Sequence, residues 1–248
     1  MDEPRREQIL SLLAIHKKMD NVVLRELLFC STSTLRRELI SLEKEGLIRR
    51  YRGGVVLEVE RNHVISTRYR ENVMIKEKEY IAEIASTFIG PGMSLFIDSS
   101  STVKALLPYL STLSNSVIIT NGLRAAYELL HICQSDTKVY MVGGEAIKDA
   151  ESVVGDYGNE FLHLFHIDLC LLSSTGIDLE GIYEANFAQA LFKKKLMTLA
   201  EKSLLLVDHT KFGKKHAYRF SDLHSFESII TNEEPEKSYL NLNIEFLY

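Results

Sequence analysis

Between Arg5 and Leu57 the apolar positions first recur at helical spacing and then switch to alternation. Ile9, Leu12 and Leu13 share one face of a helix predicted from Arg5 to Ile15, and Leu24, Leu27 and Leu28 point inward from a second, Val22 to Phe29. A third helix follows Cys30. In it Leu35, Leu39 and Leu42, with Leu47 beyond, turn inward, while Ser33, Thr34, Arg36 and Arg37 turn outward. Ser31 is the expected N-cap, because a serine hydroxyl accepts from an amide that the first turn leaves unpaired. Gly46 is expected to end the helix. Leu47–Tyr51 and Val55–Leu57 then alternate as two strands around Arg52-Gly53-Gly54, the pattern of a β-hairpin.

From Lys76 onward the pattern changes. Tyr80, Ile81, Ile84, Ala85 and Phe88 form a helical stripe. Short apolar runs follow at Ser94–Ile97, Ser116–Ile119, Lys138–Val142, Asp168–Leu172, Ser203–Val207 and Ser228–Ile230. The stretches Val103–Leu110, Leu123–Ile132 and Phe187–Lys202 are long enough for crossover helices. Strand runs alternating with helices predict an α/β unit on a mostly parallel sheet. Residues 58–75 carry Arg61, Arg68 and Arg70 but few regularly spaced apolar positions, which suits a linker. The expected organisation is therefore a helical head at 1–57, a linker at 58–75 and an α/β body at 76–248.

Composition agrees with two domains: 248 residues with 46% hydrophobic content can bury a substantial core. The net charge of −5 looks wrong for a nucleic-acid partner until it is divided. Residues 1–57 hold 11 Lys/Arg against 8 Asp/Glu, leaving 18 against 26 for the rest, so a basic head precedes an acidic body. Cys30, Cys133 and Cys170 have no paired spacing, which argues against a zinc site or a disulfide framework and for a reducing cytoplasm. Neither a membrane span nor an export leader is read in the chain.

Two short helices, a Ser/Thr-rich turn, an Arg-Arg pair and a basic hairpin make the layout of a winged helix-turn-helix. Its expected partner is double-stranded operator DNA. Ser31, Ser33, Thr34, Arg36 and Arg37 would enter the major groove, and Arg49, Arg50 and Arg52 on the wing would contact the backbone. A structural helical bundle with solvated arginines would explain the third helix alone, but not this whole succession.

In parallel sheets ligands bind beyond the carboxyl ends of the strands. The residues following each run here are small and polar: Asp98-Ser99-Ser100-Ser101-Thr102, Thr120-Asn121-Gly122, Gly143-Gly144, Ser173 to Asp178, and Asp208 to Gly213. Singly they are turns and helix caps. Jointly they predict a pocket for an anion-carrying small ligand, with Lys211 on a phosphate or sugar oxygen and Asp98 and Asp178 accepting from hydroxyls.

These same segments resemble the DeoR/GlpR family of bacterial transcriptional regulators: Thr34-Leu-Arg-Arg-Glu-Leu-Ile-Ser-Leu-Glu-Lys-Glu-Gly-Leu-Ile-Arg-Arg50 with Gly53-Gly54, Phe96-Ile-Asp-Ser-Ser-Ser-Thr102, Ile119-Thr-Asn121, Gly143-Gly144, Val154-Gly155 and Asp208-His-Thr-Lys-Phe-Gly213. The resemblance runs nearly end to end. It implies an N-terminal winged helix-turn-helix and a ribose-5-phosphate isomerase-like sensor that binds a phosphorylated sugar and oligomerises as a dimer or tetramer. It also implies that Asp98, Ser99, Ser100, Ser101 and Thr102 hold the phosphate, with Thr120, Asn121, Gly143, Gly144, Asp178 and Lys211 around it. Two departures stand out. Ser100 occupies a position where the family usually has glycine. Ala190-Leu191 precede Lys194-Lys-Leu-Met197 where the family tends to carry Glu-Ala; Glu184-Ala185 lie further upstream, so Glu184 is not expected in the usual role.

An isomerase-like body also admits an enzyme with a DNA-binding appendage, in which Asp98, Asp178, Glu184 and Lys211 supply the base and the enediolate stabiliser. No paired-carboxylate motif compels that reading, and a non-catalytic repressor of sugar-metabolism genes is preferred, with no cofactor. His163 and His166 share a helical spacing, but without a following acidic or cysteine cluster no metal site is expected.

Overall fold

The computed structural model describes residues 3–44, 47–57, 70, 71, 73–147, 150–155 and 160–248. Gly46, the expected helix stop, and most of the expected linker lie outside them. The chain partitions into two compact units, Met1–Val73 and Met74–Tyr248.

The first unit comprises α1 (Glu3–His16), β1 (Lys18–Asp20), α2 (Asn21–Leu27), α3 (Thr32–Lys44), β2 (Ile48–Tyr51) and β3 (Gly54–Leu57). Ile9, Leu13, Leu24, Leu28, Leu35, Leu39, Leu42, Ile48 and Val55 form its core. Ser31 caps α3 as expected, its Oγ accepting from Thr34 N at 3.1 Å. The wing is an antiparallel hairpin whose Tyr51↔Gly54 register leaves Arg52 and Gly53 as a two-residue turn. Gly53 sits at φ +94, which glycine adopts without steric cost. Strand β1, unseen in the sequence, pairs with β3 and completes a three-stranded sheet. Leu27 is a correction: it is 50% exposed. At 3.6 residues per turn, adjacent positions diverge by about 100°. Leu24 and Leu28 share the buried face, and Leu27 falls beside it.

Phe29 has a left-handed backbone (φ 47) in the α2–α3 turn, with 96% of its surface exposed. An L-residue there costs roughly 1–2 kcal/mol. Phe29→Gly should relieve that strain and raise stability by about 0.5–1 kcal/mol after glycine's extra unfolded-state entropy. A rightward shift of the urea midpoint at unchanged slope checks it.

The second unit contains α4 (Ile75–Ser86), β4 (Ser94–Ile97), α5 (Ser101–Lys104), β5 (Val117–Thr120), α6 (Leu123–Ile132), β6 (Lys138–Met141), β7 (Glu145–Ile147), β8 (Ser152–Val154) and β9 (Ile167–Leu172). There follow β10 (Gly176–Asp178), β11 (Gly181–Glu184), α7 (Phe187–Met197), β12 (Ala200–Leu206), β13 (Tyr218–Ser221), β14 (Ser228–Ile230), α8 (Lys237–Leu240) and β15 (Glu245–Leu247). Seven strands make one sheet in the order β15-β14-β12-β9-β4-β5-β6, every neighbouring pair parallel. Successive side chains of these runs feed two different cores, which explains why the strands read as unbroken apolar stretches. Leu95, Ile97, Leu169, Leu171, Leu204 and Leu206 join Ile81 and Ala85 of α4 and Leu129 of α6. Phe96, Cys170, Leu172 and Leu205 join Phe192 and Leu196 of α7.

Two expected helices are shorter than the sequence suggested. Val103–Leu110 breaks into α5 and a 3-10 turn, Leu107–Thr112, with Pro108 near its start. Proline lacks the amide that a continuous helix would need. The helix from Phe187 stops at Met197, and Ala200–Lys202 already belong to β12. The β7–β8 hairpin and the antiparallel β10-β11-β13 sheet had no sequence signal strong enough to be read.

Strand order fixes where a ligand can sit. From β4 the chain builds outward through β5 and β6, then returns to the other side of β4 with β9 and builds away through β12, β14 and β15. The direction reverses between β4 and β9, the kind of switch point beyond whose carboxyl ends such sheets take ligands, and Asp98 and Ser173 stand there.

Candidate functional site

On the first unit the outward face of α3 carries Ser33, Arg36 and Arg37 exposed and Thr34 half-buried. Ser31 Oγ also lies 2.9 Å from Ser33 Oγ and 2.8 Å from Thr34 Oγ1, so the hydroxyls at this end form one connected group. Arg49, Arg50 and Arg52 are exposed on the wing. Arg50 is bound inside the unit: its Nε and Nη2 each lie 2.6 Å from Glu43 Oε2, and its backbone N donates to Glu43 Oε1 at 2.9 Å. Those bonds hold the Glu43 carboxyl below its ordinary value, the backbone donor first and the guanidinium next. The pair ties the last turn of α3 to β2, so Arg50 first fixes the angle between helix and wing.

At the switch point of the second unit the central group is Lys193, which no sequence reading had singled out. Its Nζ lies 3.0 Å from Asp98 Oδ2 and 2.6 Å from Glu184 Oε1, and it donates to Ser173 O at 2.7 Å. Three N–H protons therefore meet three acceptors. Lys193 is 4% exposed, Asp98 1% and Glu184 7%. Burial alone would depress the lysine pKa, but the attraction of Asp98 and Glu184 outweighs it and holds the ammonium above its usual value. Asp98 Oδ2 also accepts from Ser173 N at 3.2 Å, joining the loops after β4 and β9.

The remaining expected effector residues divide into two groups. Ser99 N donates to Asn121 Oδ1 at 3.1 Å, and Thr120 Oγ1 donates to Ile97 O at 2.7 Å while accepting from Gly122 N, so the β4 and β5 loops are stitched side by side. Ser100 caps α5 by accepting from Val103 N, and Ser101 and Thr102 are buried behind it. Asp178, by contrast, is occupied by its own turn. Its Oδ1 accepts from Glu180 N, Gly181 N and the Tyr183 hydroxyl, and Lys215 lies 3.3 Å from Oδ2. Burial would raise its pKa, but these hydrogen bonds together hold it below the usual carboxylate value. Gly143 and Gly144 are exposed ahead of β7. Gly144 has φ +145, and a Cβ there would stand 2.3 Å from Val154 O, which makes it a requirement of the hairpin. Lys211 closes the 3-10 turn His209–Lys211 after β12, half-buried. Burial would raise the pKa of neighbouring Asp208, but the charge of Lys211 and hydrogen bonds from Thr210 keep it low.

Glu184, set aside in the sequence, is one of the two carboxylates bound to Lys193. Gln189 is the other addition: buried on α7 one turn before Lys193, it donates through Nε2 to Ser152 Oγ of β8. The signal for both α7 residues lies in the burial pattern of the helix. Along Phe187–Met197 the positions 189, 190, 192, 193 and 196 are buried, so a lysine and a glutamine sit in the apolar stripe where polar groups need partners.

Other places carry less chemistry. A cavity of about 120 Å³ is lined by Ser86, Ile89, Gly90, Pro91, Tyr109, Leu110, Thr112 and Leu113, with no charged side chain. His166 meets Asp168 (3.2 Å) and Glu201 (3.5 Å) in a partly exposed polar group at the amino ends of β9 and β12. Among the described residues no helix is long and apolar enough to cross a membrane.

A winged helix-turn-helix unit joined to a parallel α/β unit with a buried polar cluster at its switch point defines a class: DNA-binding regulators with a sensor. Residues 5–61 match the DeoR-like helix-turn-helix domain, and residues 73–233 match the DeoR C terminal sensor domain. The chain belongs to the DeoR family of transcriptional regulators. It is 29% identical over 240 residues to the HTH-type transcriptional repressor GlcR of Bacillus subtilis, covering 97% of this chain and 92% of that one. It is 31% identical over 235 residues to the repressor CsqR of Escherichia coli (94% and 88% covered). With the Escherichia coli glycerol-3-phosphate regulon repressor it shares 28% over 215 residues (86% and 83%). Among solved structures, a D-ribose-5-phosphate isomerase complexed with phospho-erythronic acid overlaps 56% of this chain and 54% of its own at 16% identity and a TM-score of 0.42. The eIF2B delta subunit from Chaetomium thermophilum overlaps 65% and 57% at 14% identity and 0.49.

Proposed function

We propose that this regulator represses genes of sugar metabolism and that a phosphorylated sugar, or a related metabolite, bound at the β4–β9 switch point controls its hold on operator DNA. One observation carries the reading: the buried Asp98–Lys193–Glu184 cluster stands where such sheets take ligands, flanked by the Ser99–Thr102 loop. The relative named for a glycerol-3-phosphate regulon supports a phosphorylated small molecule. The Ser99 to Thr102 hydroxyls supply donors for a phosphate, and Lys211 supplies the positive charge, since among the described residues no carboxylate lies within ion-pair distance of its Nζ. Homo-oligomers, dimeric or tetrameric, would place two heads on operator half-sites. Effector binding can shift that arrangement only by its differential affinity for the two states. The protein acts in the cytoplasm, where operator and metabolite both reside.

Catalysis is not part of the proposal. Isomerisation needs a carboxylate free to take a proton, and Asp98 and Glu184 are both tied to Lys193. Ribose 5-phosphate incubated with the protein should yield no ketose above the blank.

A phosphosugar panel read by thermal shift tests the function, since a ligand selective for the native state raises its Tm. Lys211→Ala should keep operator affinity in a gel shift and lose the effector's influence on it. A full effector response in that variant would move the phosphate site away from the β12 loop.

A further inference from the structure

The contacts around the switch point close on themselves. Gln189 Nε2 reaches Ser152 Oγ; Ser152 bridges to Gly122; neighbouring Asn121 holds Ser99; Asp98 holds Lys193, one turn beyond Gln189 on α7. Three buried polar atoms on or beside this ring have no hydrogen-bond partner among the described residues: Asn121 Nδ2, Gln189 Oε1 and Ser174 Oγ. Asn121 is 0% exposed, Ser174 6% and Gln189 7%. Buried polar groups of this kind are normally paired, so three gathered on one ring need partners, which a ligand's own polar groups can supply. Asn121 accepts from a backbone amide that can only donate, so its amide orientation is fixed and the spare atom is a donor. Gln189 is bonded to a hydroxyl, which can donate or accept, so either of its amide atoms can be the spare one.

The formal charges beside them do not balance. Asp98 and Glu184 bring two formal negative charges and Lys193 one positive, leaving an excess negative charge; Lys193 has all three protons engaged and none to offer. A carboxylate brought here would meet that excess. A hydroxyl satisfies a spare donor or a spare acceptor, because it donates and accepts.

Resting on the phosphosugar reading above, we infer that the end of the effector away from its phosphate is an uncharged polyol, so that the site selects phosphorylated sugars and polyols over phosphorylated sugar acids. The Asp98–Lys193–Glu184 cluster is the discriminating element, and Gln189 is the hydroxyl-reading residue.

Matched ligands test this with the full-length protein. Glycerol phosphate is set against phosphoglycerate, and sorbitol phosphate with glucose phosphate against phosphogluconate, each titrated by calorimetry and by thermal shift. In every set that binds, the neutral member should bind at least about tenfold more tightly, the scale expected when a polar site is left mismatched. An acid that binds as tightly as its neutral counterpart overturns the inference and leaves the phosphosugar reading standing. If no member of any set shifts the Tm, that reading fails and this inference fails with it. Glu184→Gln keeps an acceptor for Lys193 and removes the excess charge, so it should narrow the neutral-to-acid gap; an undiminished gap shows that the cluster is not its cause. Gln189→Leu should weaken the neutral ligand and leave operator affinity as it was. Unchanged ligand affinity in that variant removes Gln189 from the role.

Discussion

Replacing Lys193 by methionine is expected to cost about 3–5 kcal/mol of unfolding free energy, the usual consequence of removing one partner from a buried ion pair. The size follows from what is left behind. Asp98 and Glu184 are each more than nine-tenths buried, and without the ammonium two carboxylates share a dry site with no cation. In a unit this large each kcal/mol lowers Tm by about 2–4 °C, so the variant should melt roughly 6–20 °C early. Adding Glu184→Met should restore part of the loss, because an apolar pair of similar volume avoids the desolvation that the ions undergo. The pH dependence has a definite sign. A lysine held above its ordinary value contributes stability that is complete below its unfolded pKa, about 10.4, and is lost as pH rises through the folded value. The wild type should therefore keep this contribution unchanged across the neutral range, and its loss should show only in strongly alkaline unfolding curves. A Lys193→Met midpoint within 2 °C of wild type, an outcome far outside the range estimated above, would mean that the three groups do not form this cluster in solution.

How far the sequence could reach is clear from this site. Strand runs such as Ser94–Ile97 and Asp168–Leu172 were legible because parallel strands buried on both faces are continuously apolar, and the loops that follow them were legible as small polar stretches. Asp98 and Asn121 were found that way. Lys193 was not, because three consecutive lysines look like a solvated helix face; only the burial stripe of Gln189, Ala190 and Leu196 separates the inward one from Lys194 and Lys195. Glu184 was discounted from its spacing to Met197 along the chain, whereas what matters is that β11 ends beside α7. Asp178 has a local partner set that the sequence did not show. Its neighbours Glu180 and Gly181 already use its oxygens, a local turn that resembles a ligand contact until the hydrogen bonds are counted. In the head the same limit applies to Arg50. A sequence shows an exposed basic wing, but the Glu43 carboxylate that claims one of its guanidinium groups lies across the helix-to-strand turn.

That difference among the arginines shapes the largest expected effect on function. Arg36→Ala and Arg37→Ala should each weaken operator binding by about 1–3 kcal/mol, roughly 5- to 150-fold, if the replaced guanidinium reads a base edge. Both are exposed on the outward face of α3, one helical turn or so from the Ser31 cap, where a helix-turn-helix presents side chains to the major groove. Folding should be untouched, because neither belongs to the Leu35–Leu39–Leu42 core. The dependence on salt separates the roles. A base-reading arginine lost from α3 lowers affinity mainly for the operator and leaves non-specific binding nearly as it was. Arg49→Ala or Arg52→Ala, if each removes one phosphate contact, should weaken all sequences alike and reduce the slope of log affinity against log salt by about 1. Gel shifts on operator and scrambled duplexes across a salt series measure both quantities together. Full operator affinity in both α3 variants would place the reading surface elsewhere on the head, with the wing left as the main contact.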